Sequence, residues 1–351
     1  MVTISRELSV SGGKVNQPKL KIVIPMAGFG ARLRPHTWSR PKQLIRMADK
    51  TVLDHVIDTF KSLPNLEEVE YIFIVGYLGE KIEAHMQETH PNLKVQYVEQ
   101  PELRGQSHAI WLAREHLHGP MLMVFADTLI ESDLSFLANQ DADAVAWVKA
   151  VPDPRRFGVA AIGQDGWVTR LIEKPTDLTN NLAVVGFYYF RQAEALVSAI
   201  EEQMHRDIQL KGEYFLADAV DIMLERGLRM RTRSVETWLD AGTPEDVLVT
   251  NRYLLEHGHD NSHDAARRSG MVVIPPVYIH PAAHVCESVI GPNTTIGADC
   301  QVQSCVIRNS ILEDGAMVTD AVLEGSLIGR KAQITRRASV INAGDQTEIS
   351  L

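Results

Sequence analysis

Cysteine is scarce in this chain: Cys286, Cys300 and Cys305 are the only three among 351 residues, an odd number with no C-x-x-C pair. That excludes a disulfide framework and gives no zinc-site spacing, so a reducing cytoplasm is the expected setting. Long apolar runs are missing too, and without a span-length stretch no membrane partner is expected. Residues 1–19 are polar and lack the apolar core of a signal peptide; they read as a loose N-terminal tail. Positive charge is in deficit, with 35 Lys and Arg against 45 Asp and Glu and a net charge of −10. Such a balance disfavours nonspecific attraction to nucleic acid, so any phosphate site must be built from a few placed cations. The 13 histidines form no ligand-spaced cluster, and His257, His259 and His263 read as solvated.

What is present is an ordinary globular composition, 45% hydrophobic and 23% charged, long enough for one large and one small domain. Strand-like runs at Ile22–Ile24, Tyr71–Val75, Val95–Val98 and Met121–Phe125 alternate with amphipathic stretches. That order predicts an α/β unit with a mostly parallel sheet and helices on both faces. Val52, Val56, Ile57 and Phe60 recur at helical spacing and give one buried face. β-rich pieces follow from Asp143 to Phe190, then helical patterns at Ala193–Met204 and Tyr214–Arg226. A last helix opens at Thr243-Pro244-Glu245-Asp246, where Thr243 caps, Pro244 suits the first position and the acids complement the dipole.

Residues 20–258 are therefore expected to form the first domain, and the apolar-poor stretch 259–270 a linker. Beyond it, Ile279, Val285, Ile290, Ile296 and Val302 recur every five or six positions, and Ile307, Leu312, Val318, Leu323, Ile328 and Ile334 continue the series. A hexapeptide period marks a parallel β-helix over 271–351, with room for about four coils of about eighteen residues. Sandwich strands would alternate every second residue and carry hairpin turns, and neither pattern is found.

The stretch Ala27-Gly-Phe-Gly-Ala-Arg-Leu-Arg-Pro35 follows the first strand. It is not a dinucleotide fingerprint, because Leu33 stands where the third glycine is needed, and its glycine spacing does not fit a Walker A loop. Taken alone, a G-x-G is more often a plain strand-to-helix turn. Arg32 and Lys42 change that reading, since both lie in the loop after the first strand, where a parallel sheet presents its ligand crevice. Glycine lets backbone N–H groups approach phosphate, Arg32 supplies a planar fork and Lys42 a mobile charge. Two strand ends, Val124-Phe-Ala-Asp127 and Trp238-Leu-Asp240, supply carboxylates. Acids in a phosphate site repel the substrate unless a divalent cation lies between them, and Mg²⁺ takes a few carboxylates plus phosphate oxygens. A metal-bridged nucleoside triphosphate is the economical ligand.

A longer series of motifs runs along the chain: A-G-F-G-A-R-L-R-P…P-K-Q-L at 27–44, E-Q-P-E-L-R-G at 99–105, F-A-D at 125–127, F-G-V at 157–159, E-K-P at 173–175, V-G at 185–186, K-G-E at 211–213 and W-L-D-A-G-T at 238–243. In content and order it resembles the sugar-1-phosphate nucleotidyltransferases (nucleotide-sugar pyrophosphorylases), in particular the long glucose-1-phosphate thymidylyltransferase type. The resemblance implies a Rossmann-like mixed sheet followed by a left-handed parallel β-helix. It also implies transfer of a nucleotidyl group to a sugar 1-phosphate, glucose 1-phosphate foremost, without a protein nucleophile. Ala27, Gly28, Gly30, Arg32 and Lys42 would hold the triphosphate, Gln100 and Gly105 would read the base, and Asp127 and Asp240 would bind Mg²⁺. Gly158, Glu173 and Gly186 would line the sugar pocket, with Lys174 and Lys211 on its phosphate. The Gln100 amide offers donor and acceptor, as thymine or uracil requires. Gly105-Gln-Ser-His108-Ala109 departs from the thymidylyl pattern and is similar to the G-x-x-H-A of uridylyl enzymes, so dTTP and UTP both stay open. Ala126 stands where many relatives have glycine. A homo-oligomer is expected, with the β-helix serving association or regulation rather than acyl transfer. The competing function is a catalytically inactive nucleotide-sugar sensor, against which Arg32, Lys42, Asp127 and Asp240 all stand intact.

Overall fold

The computed structural model describes residues 19–335. The expected tail up to residue 18 and the end of the expected β-helix, 336–351, lie outside the described residues. Ile22, Val23 and Ile24 are fully buried and form the central strand Lys21–Pro25. This strand pairs in parallel with Glu70–Val75 on one side and Met121–Val124 on the other, and Lys94–Glu99 extends the parallel part. Strands covered on both faces read as continuous apolar runs, as Tyr71-Ile-Phe-Ile-Val75 does.

On the far side the sheet is antiparallel except for Met230–Ser234, which pairs in parallel with Ala144–Ala150. Leu182–Phe190 runs against both Met121–Val124 and Ala144–Ala150, and the hairpin of Gly158–Ile162 with Val168–Glu173 adds to that edge. The nine-stranded sheet is therefore mixed, as the resemblance implies, and the four strands of the first half keep the parallel order expected of them. One face packs on helices Val52–Asp58 and Pro244–Glu256. The other packs on Gln106–Leu112, Ala193–His205 and Leu216–Glu225. Thr51 and Asp54 form a reciprocal capping box that starts the first of these helices.

The second unit coils. Three sheets of four short parallel strands wrap residues 271–335 into the left-handed parallel β-helix that the hexapeptide period predicts. Val285 stacks on Val302, Val302 on Val318 and Val318 on Ile334; Ile279, Ile296, Leu312 and Ile328 form a second inward column. The coil is shorter than eighteen residues. Met271 pairs with Ser288 and Gln301 with Met317, giving coils of 17 and 16. Each side uses five or six residues, so eighteen is only the upper limit.

The stretch 259–270 is docked rather than loose. Asn261 exchanges hydrogen bonds with the Ile279 backbone (2.8 and 2.9 Å), and Ser262 Oγ accepts from the Val277 N–H at 2.8 Å. The expectation that His259 is solvated is corrected: Nδ1 lies 2.8 Å from Asp49 Oδ1, and the ring stands edge-on to His55. The spacing of these residues in sequence does not disclose that Asp49, His55 and His259 bring ligand-type atoms within 4.8 Å of one another.

Between the two units lies the segment that follows the glycine-rich turn. Arg40 makes a buried ion pair with Glu313 of the β-helix, whose Oε1 also accepts from the Arg46 N–H at 3.1 Å. Arg46 Nε reaches Asp314 at 3.2 Å. Asn251 Oδ1 accepts from both the Ala48 N–H and the Thr295 hydroxyl, tying the last helix of the first unit to segment and solenoid at once. Ile311 packs into the first unit's core.

Candidate active site

The glycine-rich turn leaves the carboxyl end of the central strand, and Met26 N–H still bonds to the Ile74 carbonyl at 2.8 Å. Gly30 adopts φ 59°, and a Cβ there would meet Thr37 at 3.0 Å, so the tight turn requires glycine. Ala31–Leu33 then forms one turn of 3₁₀ helix that carries Arg32.

Asp127 and Asp240 are brought together by a two-stranded ribbon. Thr128–Ile130 pairs antiparallel with Trp238–Asp240, with Thr128 opposite Asp240, and the Ala241 N–H donates to the Asp127 carbonyl at 2.9 Å. Lys42 makes an ion pair with Asp127 Oδ2. Arg32 completes the group: a Cβ at Gly242 would stand 2.7 Å from its Nη2 and 3.0 Å from Asp240 Oδ1. Thus Gly242 opens the room through which guanidinium and carboxylate approach.

The electrostatics separate the two acids. Burial alone would raise Asp127, but the Lys42 ammonium and then Arg32 outweigh it and hold the carboxyl below its ordinary value. Asp240 goes the other way, to about 6, because burial and the neighbouring charges of Asp127 and Asp246 oppose its ionisation more than Lys42 and Arg32 favour it. Crowded carboxylates only partly neutralised by protein cations are the ligand type that hard divalent cations take.

Two cavities meet at this point. One, of 490 Å³, is lined by Arg32, Asp127, Gly158, Glu173 and Asp240 among others; the second, of 320 Å³, by Ala27, Gly28, Lys42, Gln100 and Gly105. Asp127, Phe125 and Gln106 border both. Gly158 and Glu173 are register partners in the edge hairpin, and a Cβ at Gly158 would come within 3.1 Å of Glu173 Oε2. Burial raises the Glu173 carboxyl above its ordinary value, against the pull of Lys174. Gly186 sits behind the wall at φ 86° where the strand register shifts, and its carbonyl accepts from the Phe125 N–H at 3.0 Å. Gly105, at φ 94°, faces Tyr214 so closely that a Cβ would lie 2.4 Å from the carbonyl oxygen.

Lys174 and Lys211 do not line either cavity. The Lys174 ammonium lies 4.8 Å from the centroid of the Phe215 ring, and Lys211 is exposed on the turn between Leu210 and Glu213. Arg156 instead borders the larger cavity, together with Tyr188, Thr250 and Asp246. None of these four was legible as a site residue. Arg156 adjoins F-G-V and Asp246 sits in the first turn of the last helix, and both positions invite ordinary surface or dipole readings. Gln43 is fully buried in the wall of the smaller cavity with both amide atoms unpartnered.

The chain belongs to the nucleotidyl transferase family, whose model matches residues 21–257; a GMPPB C-terminal domain model matches 273–349. It is similar to a glucose-1-phosphate thymidylyltransferase of Streptomyces griseus, 29% identical over 349 residues that cover 92% of this chain and 96% of the relative. It is also similar to the UTP–glucose-1-phosphate uridylyltransferase AglF of Haloferax volcanii, 29% identical over 65% of this chain and 93% of that protein. Among solved structures, a UDP-glucose pyrophosphorylase complexed with UDP-glucose shares the fold, with TM-score 0.59 and 19% identity over 68% of this chain and all of that one. The protein is a nucleotidyltransferase.

Proposed function

We propose that the enzyme transfers a nucleotidyl group from dTTP or UTP to a sugar 1-phosphate, glucose 1-phosphate first among them, and releases pyrophosphate. The observation that carries this reading is the convergence of Asp127 and Asp240 beside Lys42 and Arg32, at the border of two cavities. The names of the thymidylyl and uridylyl relatives support the choice of nucleotides and sugar. In this reading Ala27, Gly28 and Lys42 hold the triphosphate from the smaller cavity, with Gly30 shaping the turn and Arg32 reaching it from the larger one, and Gln100 and Gly105 meet the base. Gly158, Glu173 and Gly186 shape the larger cavity around the sugar. Lys174 and Lys211 would have to swing in to reach the sugar phosphate, and Arg156 is the cation nearer to hand.

Asp127 and Asp240 would hold Mg²⁺, which when bound neutralises phosphate charge. The residues of the chain do the positioning. Arg32 and Lys42 draw electron density from the triphosphate, and the cavity border aligns the sugar phosphate with the α-phosphorus. A sugar-phosphate oxygen then forms the new P–O bond as the bond to pyrophosphate breaks, with no covalent enzyme intermediate. The same reading puts the enzyme in the cytoplasm, in keeping with three free cysteines, and in a homo-oligomer, in keeping with the outward ladder Val272, Val289, Val306 and Val322 on the solenoid.

The test is pyrophosphate release across a grid of dTTP and the four ribonucleoside triphosphates against several sugar 1-phosphates, with Mg²⁺. Turnover with dTTP or UTP is expected, and Asp127→Asn should lower kcat by at least about a hundredfold while the fold stays intact by circular dichroism. Tight binding without turnover in the unaltered enzyme would favour the inactive sensor. Wild-type rates in Asp127→Asn would remove the metal role.

A further inference from the structure

Resting on the assignment of Gln100 to the base, a second residue carries the choice of base. Gln100 is buried, and its side-chain nitrogen lies 3.2 Å from the Gly105 carbonyl oxygen and 3.3 Å from Nδ1 of His108. A carbonyl oxygen only accepts, so the amide atom that faces Gly105 is the NH₂ group. That same group donates its other hydrogen to His108, which requires a lone pair on Nδ1. With Nδ1 accepting, His108 is neutral and carries its proton on Nε2. Trp111 stacks on the imidazole at an interplanar angle of 21° and holds its plane. The amide oxygen of Gln100 has no hydrogen-bond partner among the described residues, and Gln100 lines the smaller cavity together with Gly105. An acceptor is what remains for a ligand.

We propose that His108 is a positioning residue that locks the Gln100 amide with its oxygen toward the base, so that the site accepts bases with a ring N–H and rejects those with a ring lone pair. Uracil and thymine carry N3–H between two carbonyls, and Gln100 Oε1 takes that hydrogen. Cytosine has nearly the same size but presents a lone pair at N3, so oxygen meets nitrogen without a hydrogen between them. If the amide turned over, cytosine would be served instead. Among the described residues the His108 and Gly105 contacts oppose that rotation, and a hydrogen bond to the wrong group leaves a buried polar atom unpaired. A protonated His108 donates at both nitrogens and cannot hold the lock. Burial and the Arg104 charge keep the ring neutral by lowering its pKa below the ordinary value, more than the Glu102 charge and carbonyl raise it.

The experiment compares kcat and KM for UTP, dTTP and CTP in the wild type, His108→Asn and His108→Leu. The Asn side-chain oxygen accepts close to where Nδ1 does, whereas Leu accepts nothing. The wild type and His108→Asn should prefer UTP or dTTP over CTP by about a hundredfold or more in kcat/KM, and His108→Leu should lose at least about tenfold of that preference, chiefly through KM. Lowering the pH below the ring's pKa should erode the preference in the wild type and leave it flat in His108→Asn. A His108→Leu enzyme with unchanged preference overturns the lock, and so does a His108→Asn enzyme that behaves like Leu. If Leu misfolds, the pH contrast between the wild type and Asn decides. Absence of turnover with every triphosphate would instead sink the proposed transfer reaction, so the two failures are distinguishable.

Discussion

Asp240 carries a cost that an asparagine would not. Its carboxyl titrates near 6 in the fold against an ordinary value of 3.8, because burial and the charges of Asp127 and Asp246 oppose ionisation. Below about pH 4 both folded and unfolded chains hold the proton; between there and pH 6 only the folded chain does, so stability falls as pH rises through that window. Above pH 6 the penalty is fully present. Asp240→Asn is expected to abolish most turnover and yet to stabilise the metal-free protein at pH 7.5 by roughly 1–3 kcal/mol, with little change at pH 4. Thermal melts at the two pH values check this, and equal melting temperatures at pH 7.5 would contradict it. At this scale the sequence is partly legible. Asp127, Asp240, Arg32 and Lys42 were visible because each ends a strand or follows one. Arg156, Tyr188 and Thr250 were not, because nothing in their neighbourhoods distinguishes a cavity wall from a surface or a core.

Among the elements, the last helix of the first unit holds the carboxylate ribbon. Thr243 accepts from the Asp246 N–H at 3.2 Å, and Thr250 on the same helix donates to the Asp240 carbonyl at 2.7 Å. Thr243→Ala should cost about 1 kcal/mol of stability and loosen Asp240. A melting temperature lowered by a few degrees, with a raised Mg²⁺ requirement for turnover, is the expected result; an unchanged Mg²⁺ dependence would separate the cap from the site. This cap was legible in T-P-E-D, as was the helical face of Val52, Val56, Ile57 and Phe60. The antiparallel side of the sheet was not. Strands in the two directions share the same alternation, and only the partner across the ladder distinguishes them.

At the scale of the molecule, the solenoid serves the site as a support. Arg40 and Glu313 are buried against one another, and Lys42 lies two residues beyond Arg40 on the same segment. Glu313→Gln leaves the Arg40 charge without its counterion and is expected to cost about 3–5 kcal/mol. It should also raise KM for the triphosphate more than KM for the sugar phosphate. The double variant Arg40→Met with Glu313→Leu should recover the stability, since a buried ion pair is often replaceable by apolar groups of similar volume. Calorimetry and steady-state kinetics on the three proteins check both statements; a Glu313→Gln enzyme with wild-type melting and kinetics would refute the supporting role.

The sequence by itself determined the elements and their order, because hydrophobic period is a local property: 3.6 for helices, runs for buried strands, five or six for the solenoid. It also determined which residue types could meet phosphate and metal. The tertiary structure alone decided which of those residues share a cavity, how the Gln100 amide is turned, and that the solenoid presses on the loop carrying Lys42. Those outcomes depend on contacts between positions hundreds of residues apart, where burial sets both hydrogen-bond direction and charge state, and no local pattern encodes the partner.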